Sequence, residues 1–357
     1  MHVYVHIPFC ESICAYCDFY RYKTNASIQK QWFTRILEEI DALSFSSIDT
    51  LYFGGGTPSS LANDMLVRIA EKFIPYLAQS YEWTIECNPE TLTQEKIRLY
   101  ANLGINRISL GVQSFQLDIL HALGRKHTLE DIFRCIQQCR DNGIHNISID
   151  LMYGLPHQTL KDLQKDIDIF LKLDLPHLSI YSLQIEPNSI FGKQGVQPCD
   201  PDLEADMYER IRQDLTQAGY EQYEISSYCK EGMYSRHNLC YWDDSDFLGI
   251  GCGASGRIHG KRYDQNQSLQ AYIQNGAIRE YVESDPPFEA IMMGLRTAFG
   301  LDIQTWNQKY QRDFEKEYQR VLKKYAKQLK IRNGRCVCTP SGLEILNTIL
   351  VEFLENS

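Results

Sequence analysis

HVYVHIPFCESICAYCDF, residues 2–19, joins a strand-like run to three cysteines, Cys10, Cys14 and Cys17. The apolar and β-branched residues of 2–8 read as a buried strand. The cysteines follow at once with C-x3-C-x2-C spacing. Three thiolates on so short a loop can converge on one inorganic centre. An iron–sulfur cubane normally takes four Cys thiolates, so a set of three leaves one iron open to a small molecule. Zinc is the rival, because Cys3His is a structural zinc site and His2 and His6 stand close in sequence.

Working outward, strand-like stretches recur at 50–54, 82–87, 107–112, 146–152 and 177–183. Helical periodicity fills the gaps, at 28–43, 61–77, 94–103, 129–142 and 160–173. Strands alternating with helices imply βα units and a parallel sheet. Six units fit an α/β fold, an incomplete TIM-type (β/α)6 barrel; a doubly wound open sheet is the alternative. In barrels the chemistry sits at the C-terminal ends of the strands, and the informative residues here follow strand ends. After about residue 185 the rhythm changes. A helix at 202–218, an aromatic strand at 220–228 and a Gly-rich run at 248–256 come first. Charged helices follow from about 288, with an Asn333-Gly334 hairpin turn and a last helix at 341–354. The expected division is 1–220 barrel, 221–285 extension packed on the barrel, and 286–357 a smaller winged-helix-like module.

Composition narrows the partners. The chain has 357 residues, of which 43% are hydrophobic and 23% charged, enough apolar material for a large core. Its net charge of −10 argues against a nucleic-acid partner, since phosphate contacts need clustered Lys and Arg. No apolar run approaches a membrane span and no targeting segment stands out. Twelve Cys in a chain of this size read as reduced thiols in a cytoplasmic protein.

Gly54-Gly55-Gly56-Thr57-Pro58 closes the second strand, and three glycines let backbone approach a ligand closely. With the Cys loop, this motif makes the chain resemble the radical-SAM superfamily, whose cysteine triad ends strand one and whose glycine motif ends strand two. Over its whole length the chain resembles the anaerobic coproporphyrinogen-III oxidase-like family. The resemblance implies a [4Fe–4S] cluster on Cys10, Cys14 and Cys17, with S-adenosylmethionine (SAM) at the open iron. It also implies a SAM site built from Tyr4 before HIPFC, Tyr16 in the Cys loop, and Gly55, Gly56 and Thr57. Glu86 in TIECNP, Gln113 in GVQSF, Arg125 in LGRKH and Asp150 in ISIDLMYGLP complete it. The chemical logic is plain: an ammonium wants a carboxylate, a carboxylate wants Arg, and ribose hydroxyls want Asp. Reduced, such a cluster supplies one-electron cleavage of SAM, and the protein's share is positioning and exclusion of water.

Two branches of that family separate on residues. The oxidase pattern has a fourth Cys two positions after the third; here that position is Phe19. The oxidase also carries an N-terminal extension, for which this chain leaves no room. Residues 235–242, SRHNLCYW, match the HNxxYW motif of the heme-chaperone branch, which assigns His237 to heme. Imidazole is an ordinary axial ligand of heme iron, and Tyr241 and Trp242 can pack on a porphyrin face. The expected function is binding of heme and its transfer to an acceptor hemoprotein. Oxygen-independent oxidation of coproporphyrinogen III is the alternative, and radical modification of RNA is disfavoured by the acidity. No catalytic residue is assigned. Cys240 and the other eight Cys are expected to be buried thiols, and a homodimer stays open.

Overall fold

The computed structural model describes residues 1–265 and 268–355. Six parallel strands form its centre: β1 (His2–Ile7), β2 (Ile48–Gly55), β3 (Leu77–Cys87), β4 (Arg107–Gln113), β5 (Asn146–Tyr153) and β6 (His177–Ser182). Each lies beside the next in chain order. Their interiors are almost continuously buried, as strands covered on both faces must be. The expected βα units are therefore present.

Helices cover the outer face. α1 (Ala26–Asp41) buries Trp32, Phe33, Ile36 and Ile40, one stripe at helical spacing. α2 (Asn63–Glu71) and α3 (Gln94–Leu103) follow. α4 (Leu129–Asp141) and α5 (Leu160–Leu173) each start from a capping box, Thr128 with Asp131 and Thr159 with Asp162. α6 (Pro201–Gln217) packs against α5.

The sheet does not stop at six strands. β8 (Ser227–Cys229) adds antiparallel to β6, and β7 (Glu221–Gln222) adds antiparallel to β8, so the strand expected at 220–228 is two short ones. Helix α7 (Arg236–Trp242) then leads to β9 (Phe247–Ile250), which pairs in parallel with β1 through His2↔Phe247 to Val5↔Ile250. The Gly-rich run thus holds a seventh parallel strand. β10 (Ser255–Ile258), β11 (Lys261–Gln265) and β12 (Arg279–Tyr281) continue the sheet antiparallel. The full order is β12-β11-β10-β9-β1-β2-β3-β4-β5-β6-β8-β7, an open sheet with two short edge strands.

A second core belongs to the C-terminal module. Trp306, Phe314, Tyr318 and Phe353 pack there under α8 (Pro286–Gly294), α9 (Ile303–Tyr310) and α10 (Leu346–Glu355). A small sheet, β13 (Leu301–Asp302), β15 (Arg335–Cys338) and β14 (Leu329–Arg332), flanks it in that order. The expected hairpin turn is present: Asn333 and Gly334 both have positive φ, 52° and 74°, as a tight two-residue connection demands. A bridge between Glu224 and Thr297 ties the module to the barrel.

Candidate cofactor and ligand site

The chain leaves β1 at Pro8 and enters the Cys loop over the C-terminal ends of the strands. Backbone bonds pin it there: Tyr22 N–H to Pro8 O (2.6 Å), Thr24 N–H to Cys10 O (2.9 Å) and Ala15 N–H to Leu123 O (3.1 Å). Cys10 and Cys14 are buried and Cys17 is partly so. All three line one cavity of about 440 Å³. Burial raises the Cys10 thiol above its ordinary pKa and pushes Cys17 up to about 11. Such thiols keep their protons until a metal replaces them.

Among the described residues no three His, Cys, Asp or Glu side chains gather tightly enough to hold a single metal ion. A cubane differs, because each thiolate meets its own iron and the sulfurs need not converge on one point. The zinc alternative also needs a free imidazole. His6 has none: Nε2 donates to Tyr20 O (2.8 Å) and Nδ1 accepts from the Tyr4 hydroxyl (3.1 Å). Burial pulls its pKa down to about 4, so the ring stays neutral. The donor set fits a cluster better than zinc.

The glycine motif forms the next wall. Gly56 N–H bonds Ile7 O (2.9 Å) and Thr57 N–H bonds Phe9 O (2.8 Å), which locks the motif to the end of β1. A Cβ on Gly56 would lie 2.8 Å from the Phe9 backbone nitrogen, so no side chain fits. Gly55 has φ +115°, and its N–H donates to Glu86 Oε2 (3.1 Å). The Tyr52 hydroxyl donates to Glu86 Oε1 (2.8 Å). Burial, opposed by the Tyr52 bond and reinforced by Asp150, raises the Glu86 pKa to about 7. A carboxylate that reluctant to ionise in isolation is well placed to accept an ammonium group. Thr57 Oγ1 donates to Cys10 Sγ (3.4 Å), linking this wall to the Cys loop.

The remaining wall comes from Gln113 of β4, Asp150 of β5 and Arg125 in the connection between these strands. The Arg125 guanidinium is buried, with Nη2 on Gly111 O (2.6 Å) and Asn88 Oδ1 (2.8 Å), and Nη1 toward Cys14 Sγ (3.6 Å). Its Nε–H has no partner. Gln113 sits in a bulge at the end of β4 with φ +69°, an uncommon conformation for a non-glycine residue. The loop after it is held by Asp166, which accepts from Ser114 Oγ (2.7 Å), Phe115 N–H (2.9 Å) and Gln116 Nε2 (2.8 Å). Asp150 accepts from Ser109 Oγ, and burial raises its pKa to about 6. Tyr16 lies in the same wall.

The structure thus gathers Tyr16, Gly55, Gly56, Thr57, Glu86 and Gln113 around the three cysteines, with Arg125 and Asp150 beside them. Tyr4 and His237 are elsewhere. Tyr4 lines a second cavity of about 690 Å³, which shares Phe19, Tyr52, Gly55, Glu86, Tyr181 and Asn238 with the first. From SRHNLCYW, the members facing that second cavity are Asn238, Tyr241 and Trp242. His237 is fully buried behind them. Its Nδ1 meets Thr50 Oγ1 (2.7 Å), its Nε2 meets the Tyr241 hydroxyl (2.9 Å), and its ring stacks on Tyr52 at 5.0 Å. Burial pulls its pKa down to about 3.

Sequence reasoning passed over several cavity residues. Asn88 bonds both Thr57 and Arg125, and it was legible in the same TIECNP run as Glu86. Arg107 opens β4 and is buried against the barrel interior. Nothing in its local sequence distinguishes it from a surface cation. All nine of the remaining Cys lie outside any disulfide, but Cys199 and Cys338 are only partly buried.

Comparison with known proteins agrees with this geometry. Residues 4–170 match the family model of the radical SAM superfamily, and residues 283–345 match that of the HemN C-terminal domain. The chain is 35% identical to the heme chaperone HemW of Bacillus subtilis, over 98% of each chain. It is 34% identical to HemW of Lactococcus lactis, over 98% of this chain and 96% of that one. The coproporphyrinogen III oxidase HemN of Escherichia coli has the same fold, with a TM-score of 0.84 and 20% identity over 99% of this chain and 89% of that one. With identity of this degree along nearly its entire length, and a cysteine triad backed by the glycine motif, the chain belongs to the heme chaperone HemW family of the radical SAM superfamily.

Proposed function

We propose that the protein binds heme and delivers it to an acceptor hemoprotein, in a form that also carries a [4Fe–4S] cluster and SAM. One observation carries the reading: the cavity of the three cysteines abuts a second, aromatic cavity faced by Tyr241 and Trp242. Cys10, Cys14 and Cys17 would hold the cluster. Gly55, Gly56, Thr57 and Glu86 would take the amino end of SAM, with Gln113, Arg125 and Asp150 for its carboxylate and ribose and Tyr16 for its adenine. Tyr4 supports this site from the neighbouring cavity, through its bond to His6. His237 is assigned to heme by its motif, and would have to give up its bond to the Tyr241 hydroxyl to serve there as a ligand.

Phe19 stands exposed where the oxidase pattern has its fourth Cys, which favours the chaperone over the oxidase. Twelve cysteines in no disulfide fit a cytoplasmic protein. No helix among the described residues is long and apolar enough to cross a membrane. The acidic balance speaks against nucleic acid as a partner, and a homodimer remains compatible with this reading. The test is an anaerobically reconstituted sample titrated with hemin, with absorbance read before and after SAM. Stoichiometric heme uptake, loss of the cluster in Cys14→Ala, and no protoporphyrinogen from coproporphyrinogen III are expected. Clear protoporphyrinogen production would replace this reading with the oxidase.

A further inference from the structure

The second cavity has one chemical feature that the family motif does not explain. Three guanidiniums, those of Arg257, Arg262 and Arg296, line its wall away from the cysteines. Two are answered by acids. Arg257 pairs with Asp244, which Lys309 and the Tyr310 hydroxyl also engage. Arg262 stands 3.8 Å from Glu289, a loose pair. Arg296 has none: among the described residues no carboxylate lies within ion-pair distance and no hydrogen bond reaches its side chain. It follows α8, in the C-terminal module, and is half-buried. Burial alone lowers its pKa, with no acidic neighbour to offset the cost. Glu224 lines the same cavity, but burial raises its pKa toward the neutral form, and it accepts the Ser226 N–H.

A partly desolvated cation without a counter-charge is free to pair, and a charged ligand group entering the cavity would find it unanswered. The rest of the cavity says what carries that group. Phe19, Tyr20, Trp242 and Phe247 offer a broad aromatic lining, and about 690 Å³ accommodates a ligand of tetrapyrrole size. We propose that Arg296 is the carboxylate anchor of the heme site: the C-terminal module recognises a heme propionate, while the barrel and the Tyr241-Trp242 pair take the macrocycle. Arg262, held only loosely by Glu289, is the second cation within reach of the other propionate. This rests on the heme reading above and adds to it the residue and the module that select for the acid side chains.

The experiment compares four probes on the cluster-loaded protein: heme, heme dimethyl ester, metal-free protoporphyrin IX and its dimethyl ester. Wild type should bind each acid about tenfold or more tightly than its ester, the margin of a charge-assisted pair. Arg296→Gln should cut that margin severalfold, leaving only the share that Arg262 supplies, while cluster content and the affinity for the esters stay unchanged. Equal binding of acids and esters by wild type, or an unchanged margin in Arg296→Gln, overturns the anchor and leaves the heme reading standing. Failure of wild type to bind any of the four probes overturns the heme reading itself. Should Arg296→Gln lose its cluster, the acid–ester comparison in wild type decides alone.

Discussion

Glu86→Gln should make the free protein more stable at pH 8 and less stable at pH 5. The Glu86 carboxyl has a pKa of about 7 in the fold, against 4.5 for the ordinary group, chiefly through burial. An acid whose pKa rises on folding stabilises the native state below the unfolded pKa. That contribution is lost as pH climbs from about 4.5 through about 7 and is flat above. Each pH unit between those two values is worth about 1.4 kcal/mol, so ionised Glu86 costs about 3 kcal/mol at pH 8 before screening. Glu86 borders a cavity open to water, which trims this to about 2 kcal/mol. The amide keeps the shape but weakens the bonds from Tyr52 and Gly55, a loss of about 1 kcal/mol. The balance favours Gln by about 1 kcal/mol at pH 8 and disfavours it at pH 5, where little of the carboxylate's cost remains. Asp166, with its pKa raised to about 6, titrates in both proteins, whereas Asp150, whose charge helps raise the Glu86 pKa, is coupled to Glu86 and adds to the difference in the same direction. Urea midpoints at pH 5, 6, 7 and 8, followed by tryptophan fluorescence, give the comparison. A variant that is less stable than wild type by the same amount at every pH would refute the reasoning. SAM binding to the variant should weaken at least tenfold, the magnitude of about 1.4 kcal/mol from one lost charge-assisted bond.

Gly56→Ala should lower iron and sulfide content per chain while far-ultraviolet circular dichroism stays near wild type. The new Cβ would press on the Phe9 backbone that leads into Cys10, and backbone there has nowhere to go. Asp166→Ala strands three donors that hold the loop after Gln113, and should cost about 3 kcal/mol in urea unfolding together with weaker SAM binding. His237→Ala should reduce heme uptake and leave the cluster spectrum intact; unchanged heme affinity would remove His237 from the heme site. Trp306→Ala opens the core of the C-terminal module and should cost about 3–5 kcal/mol there, seen as hydrogen exchange confined to that module while the barrel remains protected.

The strands and helices of the first half were legible because each carries its own signal. An apolar run such as IDTLYFGG and a capping Thr-x-x-Asp act over a few residues, and the chain order of the strands is also their order in the sheet. The Cys loop and the glycine motif were legible for the same reason, since each is a contiguous stretch. β9 was not, because its partner, β1, lies about 245 residues away in sequence. A four-residue strand has no periodicity of its own to announce which edge it joins.

Residue types on separate strands set out the cysteine cavity in advance, since the C-terminal ends of neighbouring parallel strands must meet. The linear chain alone established the barrel units, the cluster loop and the motif that ends in Tyr241-Trp242. Tertiary packing decided that His237 turns inward to Thr50 and Tyr241, that Tyr4 faces the second cavity, and that Arg296 completes its wall. Those outcomes depend on which desolvated groups find partners across distant segments, and that balance exists only once the segments are assembled.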